Sequence, residues 1–348
     1  MDGERDGSAA VTPPTLDAVG VVAIGRNEGE RLIRCLESLP GGVAGVVYVD
    51  SGSTDGSVEA ARARGVEVVA LDMSIPFTAA RARNEGIAAL RASCPGVGFV
   101  HVLDGDCEME PGWLETALRE MGTDEKIAVV CGQRREKRPG ASVYNLICDI
   151  EWRGEPGDAA ACGGDALIRL AAFDEAGGYD PSLIAGEEPE MCFRLRAHGW
   201  RIRRLADTMT RHDAAMTRFG QWWRRCVRAG YAAAEGAWMH GRSPERYNIA
   251  RCRTVLVWAV IVPLLVIAAG VVWFPWGFAV VGVYPLQWVR LVARERRRRP
   301  LREAMIYAGH LVLTKFPQLQ GMMTFVVRRL LRREARLIEY KNAAGGGA

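Results

Sequence analysis

Three features are missing from this sequence, and each absence excludes a class of protein. The nine cysteines are odd in number and lack metal-site spacing, which fits a reducing compartment better than a disulfide framework. Residues 1–18 are polar, contain proline and have no apolar core, so they predict a flexible tail and not a secretory signal. No G-x-G-x-x-G follows the first apolar run, which excludes a nicotinamide-dependent enzyme.

Charge is also missing from one long stretch, Thr254 to Val289, which spans roughly 36 residues. A single membrane-spanning helix needs about 20 residues, so this stretch is long enough for two short helices. Phe274-Pro275-Trp276-Gly277 supplies a turn with interfacial tryptophans, and arginines flank both ends of the stretch. The sequence therefore predicts a transmembrane hairpin at 246–292 in the inner membrane, with both ends in the cytoplasm, in preference to a buried helix pair.

Basic residues are concentrated after residue 290, although the whole chain has 45 basic and 41 acidic residues. Residues 304–327 are apolar but include a histidine, a lysine and a proline, so they either span the membrane or lie on it. Residues 293–341 are predicted to form basic amphipathic helices on an anionic membrane surface, followed by a flexible tail at 342–348. Because the basic residues adjoin apolar segments and not stacking platforms, nucleic acid is not an expected partner.

Four short apolar runs alternate with helical patterns in the N-terminal half, which predicts an α/β fold with a largely parallel sheet. Ligands of such sheets gather beyond the carboxyl ends of the strands. Six polar residues fall at these ends and are therefore expected to form one site. They are Asn27, Glu28, Asp50, Asp55, Asp104 and Asp106.

The triplet Asp104-Gly105-Asp106 follows the fourth apolar run and is the clearest candidate site. Two carboxylates one residue apart can hold a hard cation, Mg²⁺ or Mn²⁺, which bridges protein carboxylates to substrate phosphates. Gly105 is expected to keep the turn open for close approach of a ligand. A polar turn before the helix that Pro111 opens is the alternative, and the surrounding motifs favour the metal site.

Four segments together resemble the family 2 glycosyltransferases of the GT-A fold: VVAIGRNEGERLIRCLESL, VVYVDSGSTDGS, PFTAARARNEGI and HVLDGDCEME. The resemblance implies a Rossmann-like, mostly parallel mixed sheet over residues 19–245. Residues 19–110 would form its nucleotide-binding half, and residues 111–245 its acceptor half with an interfacial helix. It also implies a nucleotide sugar as donor, most often a UDP-sugar. The nucleoside contacts implied are Asn27, Glu28 and Asp50.

The same resemblance makes Asp104 and Asp106 a DxD motif, with Asp106 the more direct ligand of a metal on the diphosphate. Arg83 could meet that diphosphate. His212 follows a strand expected to end near Leu205, where related enzymes often place a metal- or diphosphate-contacting histidine. A purely structural role for His212 is equally open.

Residues 186–202, GEEPEMCFRLRAHGWRI, have helical spacing and begin with several glutamates. The helix dipole favours an acidic first turn whatever the function. The segment also resembles the Glu-Asp acceptor motif of the same family. That likeness implies Glu188 as the general base that removes the acceptor proton, with Glu187 as the alternative.

The segment Gln221-Trp222-Trp223-Arg224-Arg225 resembles the Q-x-x-R-W motif of processive membrane members. Arg225 stands in place of the tryptophan, which argues against a processive polymer synthase. An interfacial amphipathic helix is the favoured interpretation, and contact of Arg224 or Arg225 with the donor diphosphate is the other.

These patterns predict an inverting, metal-dependent glycosyltransferase that acts on a lipid-linked or glycan acceptor at the cytoplasmic membrane face. One alternative is transfer to a polyprenyl phosphate, whose ionised acceptor oxygen needs no base, so that replacing Glu188 would have a mild effect. The other alternative is a nucleotide-sugar-binding membrane scaffold without catalysis. Intact Asp104, Asp106 and Glu188 argue against the scaffold.

Overall fold

The computed structural model describes residues 14–331 of the chain, and its N-terminal half consists of alternating strands and helices. All four predicted strands are present, and Thr78 caps the third helix by accepting a hydrogen bond from the Arg81 N–H at 3.1 Å. The elements are β1 (Val19–Gly25), α1 (Glu30–Glu37), β2 (Gly45–Asp50), α2 (Ser57–Arg62), β3 (Glu67–Ala70), α3 (Ala79–Ser93) and β4 (Phe99–Asp104).

The chain then adds five strands and four helices before its C-terminal helical region. The strand expected to end near Leu205 instead continues to His212, because β5 and β6 pair with its second half. The elements are β5 (Cys107–Met109), α4 (Trp113–Met121), β6 (Ile127–Glu136), α5 (Val143–Trp152), β7 (Gly157–Asp158), β8 (Ala166–Arg169), α6 (Leu170–Glu175), α7 (Glu187–Ala197) and β9 (Arg201–His212).

One mixed sheet runs through this part of the molecule in the order β3-β2-β1-β4-β8-β6-β9-β5, with β7 paired to β9. Strands β1 to β4 are parallel, and β8 lies antiparallel between β4 and β6. Helix α3 packs closely on β1 and β2, because a Cβ at Gly86 would lie 2.5 Å from Val22 Cγ1 and 2.7 Å from Val49 Cγ2. The predicted mixed α/β fold is confirmed.

Helices make up the C-terminal region as far as it is described. The first of them begins directly after the sheet. The elements are α8 (Phe219–His240), α9 (Ile249–Leu256), a π-helical turn (Val257–Ile261), α10 (Val262–Val272), a 3₁₀ segment (Trp276–Gly282), α11 (Val283–Glu295), α12 (Leu301–Leu313) and α13 (Lys315–Leu330).

The predicted hairpin has one arm of membrane-spanning length within residues 14–331. Helices α9 and α10 join into a continuous apolar helix of 24 residues, Ile249–Val272. Only 22% of its most apolar part is buried inside the protein. The chain turns after this helix as predicted, but the second arm starts as a 3₁₀ segment that packs on α10. A Cβ at Gly277 would lie 1.8 Å from the Ala269 carbonyl oxygen. Helix α11 then has 13 residues, about 20 Å, which is shorter than a membrane core of about 30 Å.

Residues 304–327 divide at Thr314 into α12 and α13, and α13 packs along α8. The two backbones approach closely, since a Cβ at Gly230 would lie 2.1 Å from the Gln318 carbonyl oxygen. A Cβ at Gly321 would lie 2.0 Å from the Val227 carbonyl oxygen. This segment is therefore anchored on α8. The predicted tail at 342–348 and most of the predicted tail at 1–18 lie outside the described residues, as do residues 332–341 of the basic helical region.

A buried carboxyl on α8 predicts a pH-dependent stability. Burial, and then the neighbouring Asp180, raise the pKa of Glu235 to about 7. A carboxyl whose folded-state pKa is raised stabilises the fold below its unfolded pKa of about 4.5, and this stability is lost as pH rises through about 7. We expect Glu235→Gln to raise the melting temperature by about 3 °C at pH 8 and to change it little at pH 5. The measurement is thermal unfolding in detergent, with the exposed Glu125→Gln as control. An equal change in melting temperature at pH 5 and pH 8 would contradict this prediction.

Candidate active site

Asp104, Gly105 and Asp106 form the tight turn that connects β4 to β5. The Gly105 N–H donates to the Ile24 carbonyl oxygen at 2.8 Å, and a Cβ at Gly105 would lie 3.2 Å from that oxygen. The turn therefore needs glycine because it approaches the β1 backbone, whereas the sequence suggested an opening for a ligand. The two carboxylates on either side contact different elements: Asp104 contacts α3, and Asp106 contacts β9.

Asp106 and His212 form the best candidate for a metal site. Antiparallel pairing of β5 with β9 sets Cys107 opposite His212, and Asp106 Oδ2 lies 3.2 Å from His212 Nε2. Possible ligand atoms of Asp106, Cys107 and His212 all lie within 4.8 Å of one another. Burial, together with the Asp165 carboxylate, raises the pKa of the Cys107 thiol well above its usual value, so this thiol stays protonated. A carboxylate and an imidazole remain as ligands, and this donor set fits Mn²⁺ or Mg²⁺.

The surroundings of His212 leave one imidazole nitrogen without a hydrogen-bond partner in the described structure. His212 is 3% exposed, and the edge of its ring packs on Trp152 with ring centroids 4.5 Å apart. Its Nδ1 atom is buried and has no hydrogen-bond partner among the residues that the structure describes. An imidazole that is buried beside the Asp106 carboxylate and whose Nδ1 atom has no partner in the described structure is consistent with a site that accepts a cation.

Arg83 joins the two halves of the predicted site. This arginine is buried on α3, and its guanidinium donates at 2.9 Å to Asp104 Oδ1 and at 2.9 Å to Glu187 Oε1. Burial by itself lowers the pKa of Arg83, but the Asp104 carboxylate, the Tyr179 hydroxyl and Glu187 outweigh burial and raise it. A permanently charged guanidinium therefore lies between the DxD turn and the start of α7.

Sequence reasoning missed a second buried ion pair beneath Asp104. Arg134 on β6 contacts Asp165 Oδ1 at 2.5 Å and Asp104 Oδ2 at 3.5 Å. Asp165 is fully buried and also accepts from Thr210 Oγ1 at 2.6 Å and from the Asp104 N–H at 3.2 Å. The one available signal was the charged residue inside the Gly163-Gly164-Asp165 bend, and nothing in the sequence linked it to Arg134. This network fixes the orientation of Asp104.

The first turn of α7 separates its glutamates. The Glu187 side chain lines the cleft and pairs with Arg83. Glu188 Oε1 instead accepts from the Cys162 N–H at 2.6 Å and from Cys192 Sγ at 3.4 Å, and Glu188 is not among the residues lining the cleft. Of the two predicted bases, Glu187 is therefore the one that faces the cleft.

The predicted nucleoside contacts meet where the β1 and β2 ends lie side by side. Asn27 adopts a φ of 54°, and its Oδ1 accepts from the Thr54 N–H at 2.8 Å. Asp50 Oδ2 accepts from the Gly52 and Ser53 N–H groups, both at 2.9 Å, which closes the turn after β2. Glu28, which pairs with Arg31 at 2.7 Å, is the predicted nucleoside contact that lines the cleft.

On α8, the structure distinguishes the two neighbouring arginines that the sequence left as alternatives. Arg224 is exposed and does not line the cleft, whereas Arg225 does. Arg225 forms an ion pair with Glu151 of α5, and Glu151 Oε1 lies 2.9 Å from His310 Nε2 of α12. Burial alone would raise the pKa of Glu151, but Arg225 and His310 outweigh burial and lower it strongly. This network ties the C-terminal helices to the domain that contains the sheet.

One cleft of about 570 Å³ is lined by several of these groups. It begins at the ends of β1 and β4, passes the first turn of α7 and continues between α8, α9 and α13. Its charged lining at the sheet end includes Glu28, Arg83, Asp104, Asp106 and Glu187. The cleft is thus long enough to bring a ligand at the strand ends into contact with a second ligand beside the helices.

Comparison with known proteins shows what this chain is similar to. Residues 21–155 match the family described as Glycosyl transferase family 2. The pre-mycofactocin glycosyltransferase of Mycobacterium tuberculosis is 29% identical over 242 residues, which is 65% of this chain and 49% of that protein. The succinoglycan biosynthesis protein ExoA of Rhizobium meliloti is 29% identical over 178 residues, 46% of this chain and 51% of ExoA. The chain spans about half the length of these curated relatives.

Among solved structures, the mannosyltransferase PcManGT of Pyrobaculum calidifontis, in complex with GDP-Man and Mn²⁺, has the same fold. Its TM-score is 0.51 at 17% sequence identity, covering 90% of this chain and 86% of that one. The predicted GT-A fold is thereby confirmed. The part of the chain that begins at β1 and contains the DxD turn, residues 21–155, is thus similar to glycosyl transferase family 2.

Proposed function

We propose that this protein transfers a sugar from a nucleotide sugar to an acceptor hydroxyl, in one displacement that inverts the anomeric carbon. The observation that supports this proposal is the bridge made by Arg83, whose guanidinium contacts both Asp104 and Glu187 at 2.9 Å. A donor bound at the DxD turn and an acceptor at Glu187 would then share one cleft.

On the donor side, Asn27, Glu28 and Asp50 are proposed to contact the nucleoside. Asp106 and His212 are proposed to hold the divalent cation, and their 3.2 Å separation is a distance that two ligands of one ion can have. When bound, the cation would neutralise charge that develops on the leaving nucleoside diphosphate. Mn²⁺ accompanies GDP-Man in the fold neighbour from Pyrobaculum calidifontis.

On the acceptor side, Glu187 is proposed to remove the proton from the attacking hydroxyl. A general base must reach that proton through one hydrogen bond, and Glu187 is the member of the glutamate pair that lines the cleft. Glu188 would instead hold the Cys162 loop through the 2.6 Å contact with the Cys162 N–H. Arg83 would orient Glu187 and remain available to a phosphate oxygen of the donor.

The C-terminal region is proposed to anchor the enzyme at the cytoplasmic face of the inner membrane. The apolar helix Ile249–Val272 has the length of a span, and arginines precede and follow the uncharged stretch. A lipid-linked or glycan acceptor at the membrane surface would enter the cleft between α8 and α9, where the cleft meets this helix.

Donor turnover in detergent tests the proposed reaction. The full chain is incubated with a panel of UDP-, GDP- and other nucleotide sugars, with Mn²⁺, with Mg²⁺ or with excess chelator, and release of the nucleoside diphosphate is measured. We expect turnover of one donor class that disappears with chelator, and membrane lipid extract to increase it. Tight nucleotide binding without turnover of any donor, with or without lipid extract, would contradict the enzyme and favour a binding scaffold.

A further inference from the structure

The helical end of the cleft and a smaller cavity beside it are lined by three cations that we call the cationic cluster: Arg228 of α8, Arg251 of α9 and Lys315 of α13. Arg228 and Arg251 both line the cleft, and Lys315 lines a smaller cavity beside it together with Thr254 and Trp258. Within residues 14–331, none of the three has a carboxylate partner within ion-pair distance.

The neighbouring arginine on α8 that also lines the cleft does have a counter-charge. Arg225, one turn before Arg228, pairs with Glu151. Burial lowers the pKa of Lys315, and the charge of Arg251 lowers it further, so these two cations repel each other across the α9–α13 contact. Charges held together without a partner are costly, and an anion bound between them would remove that cost.

The helix that carries Arg251 continues into an exposed apolar surface. Arg251 lies one helical turn before Val255 on α9, where the uncharged stretch has just begun. Along the same continuous helix, the side chains of Leu264, Leu265 and Ile267 are each more than half exposed. On the opposite side, α8 presents only small side chains to the cleft between its arginines and Tyr247. These small residues are Ala229, Ala232, Ala233 and Gly236.

We propose that the cationic cluster binds the phosphate of an amphiphilic acceptor, whose apolar chain lies along the helix Ile249–Val272 and whose hydroxyl-bearing part enters the cleft toward Glu187. This inference deepens the proposed glycosyl transfer and rests on it. Charge complementarity selects a phosphate or diphosphate, and continuity of the cluster with exposed apolar side chains selects an amphiphile over a free phosphate.

Direct binding of a simple alkyl phosphate tests this proposal without measuring sugar transfer. The full chain in detergent is first saturated with Mn²⁺ and UDP or GDP, so that the donor site is occupied, and is then titrated calorimetrically with octyl phosphate, octanol or inorganic phosphate. We expect octyl phosphate to bind at least about tenfold more tightly than either of the other two probes, because it alone combines the anion with the chain.

Matched arginine variants locate the bound phosphate. Arg251→Gln, and the double variant with Arg228→Gln, should weaken octyl phosphate binding by about tenfold or more. Arg253→Gln is the control, because Arg253 is exposed on the same helix, has no ion pair in the described structure and does not line the cleft. Arg251 is itself exposed, so its single replacement is expected to leave the fold intact, and this is checked by the melting temperature.

Three outcomes would overturn the proposal. Equal affinity for octanol would mean an apolar groove without an anion site, and equal affinity for inorganic phosphate would mean a free-anion pocket. If Arg253→Gln and Arg251→Gln lowered the affinity for octyl phosphate equally, both arginines would merely contact bulk headgroups. Because the titration involves no turnover, its failure is distinguishable from failure of the glycosyl transfer itself.

Discussion

Replacing Asp106 with asparagine is expected to lower metal-dependent donor turnover by about 10³-fold, the scale seen when a group that stabilises transition-state charge is removed. Asp106 is 1% exposed, and its Oδ2 atom lies 3.2 Å from His212 Nε2. Asparagine keeps the size of the side chain but removes the charge that would hold the cation. The measurement is nucleoside diphosphate release over a range of Mn²⁺ concentrations.

A nearby carboxylate provides the control for Asp106. Glu108 lies on the same short strand, β5, but pairs with Arg34 and Lys137 outside the cleft. Glu108→Gln should leave both turnover and its Mn²⁺ dependence within about twofold of the original enzyme. If Asp106→Asn kept the metal dependence of the unmodified protein, the proposed metal site would be wrong, whatever the effect on total activity. His212→Ala should raise the Mn²⁺ concentration required, since it removes the second ligand.

Replacing Glu187 with glutamine is expected to lower sugar transfer by about 10²-fold or more, while acceptor-independent donor hydrolysis falls less. The reason is that glutamine can still accept from Arg83 but cannot take a proton from the acceptor. The measurement compares transfer and hydrolysis rates of each variant in membranes or lipid extract. A rise in the pH needed for transfer would further indicate loss of a base.

Glu188→Gln is the matched control, because Glu188 is adjacent and similarly buried but contacts the Cys162 loop. It should lower the melting temperature more than Glu187→Gln does and affect transfer less. The reverse order of effects on transfer would restore Glu188 as the base, as the family resemblance implies. If neither replacement slowed transfer, the acceptor oxygen would already be ionised, and a phosphate would itself be the nucleophile.

Local patterns in the sequence were enough to predict the α/β class and which polar residues lie at the strand ends. Apolar runs followed by polar residues define strand ends, and parallel strands bring their carboxyl ends to one edge of a sheet whatever the details of packing. The position of Asp104 at a strand end was therefore predictable. So was the placement of Asn27, Asp50 and Glu28 at the same edge of the sheet. The fold class and the similarity to glycosyl transferase family 2 follow from short segments that keep their order along the chain.

The long-range partners of these residues were not predictable in the same way. Arg83 and Glu187 are 104 positions apart, and Arg134 finds Asp165 only because β6 and β8 are neighbours in the sheet. A one-residue change of register moves every side chain of a strand to the other face, so no local pattern specifies such a pair. The same reasoning applies to Asp106 and His212, which the β5–β9 register brings together.

The sequence by itself therefore determined the elements, the edge of the sheet that holds the site and the uncharged stretch near the C-terminus. The tertiary structure alone decided that Glu187 rather than Glu188 lines the cleft, and that Arg225 rather than Arg224 reaches it. Within the described residues, one helix, Ile249–Val272, has the length and composition of a membrane span, whereas the second arm of the predicted hairpin is divided into a 3₁₀ segment and a 13-residue helix. Composition limits what a segment can do in each case, whereas the position of neighbouring elements fixes which side chain meets which partner.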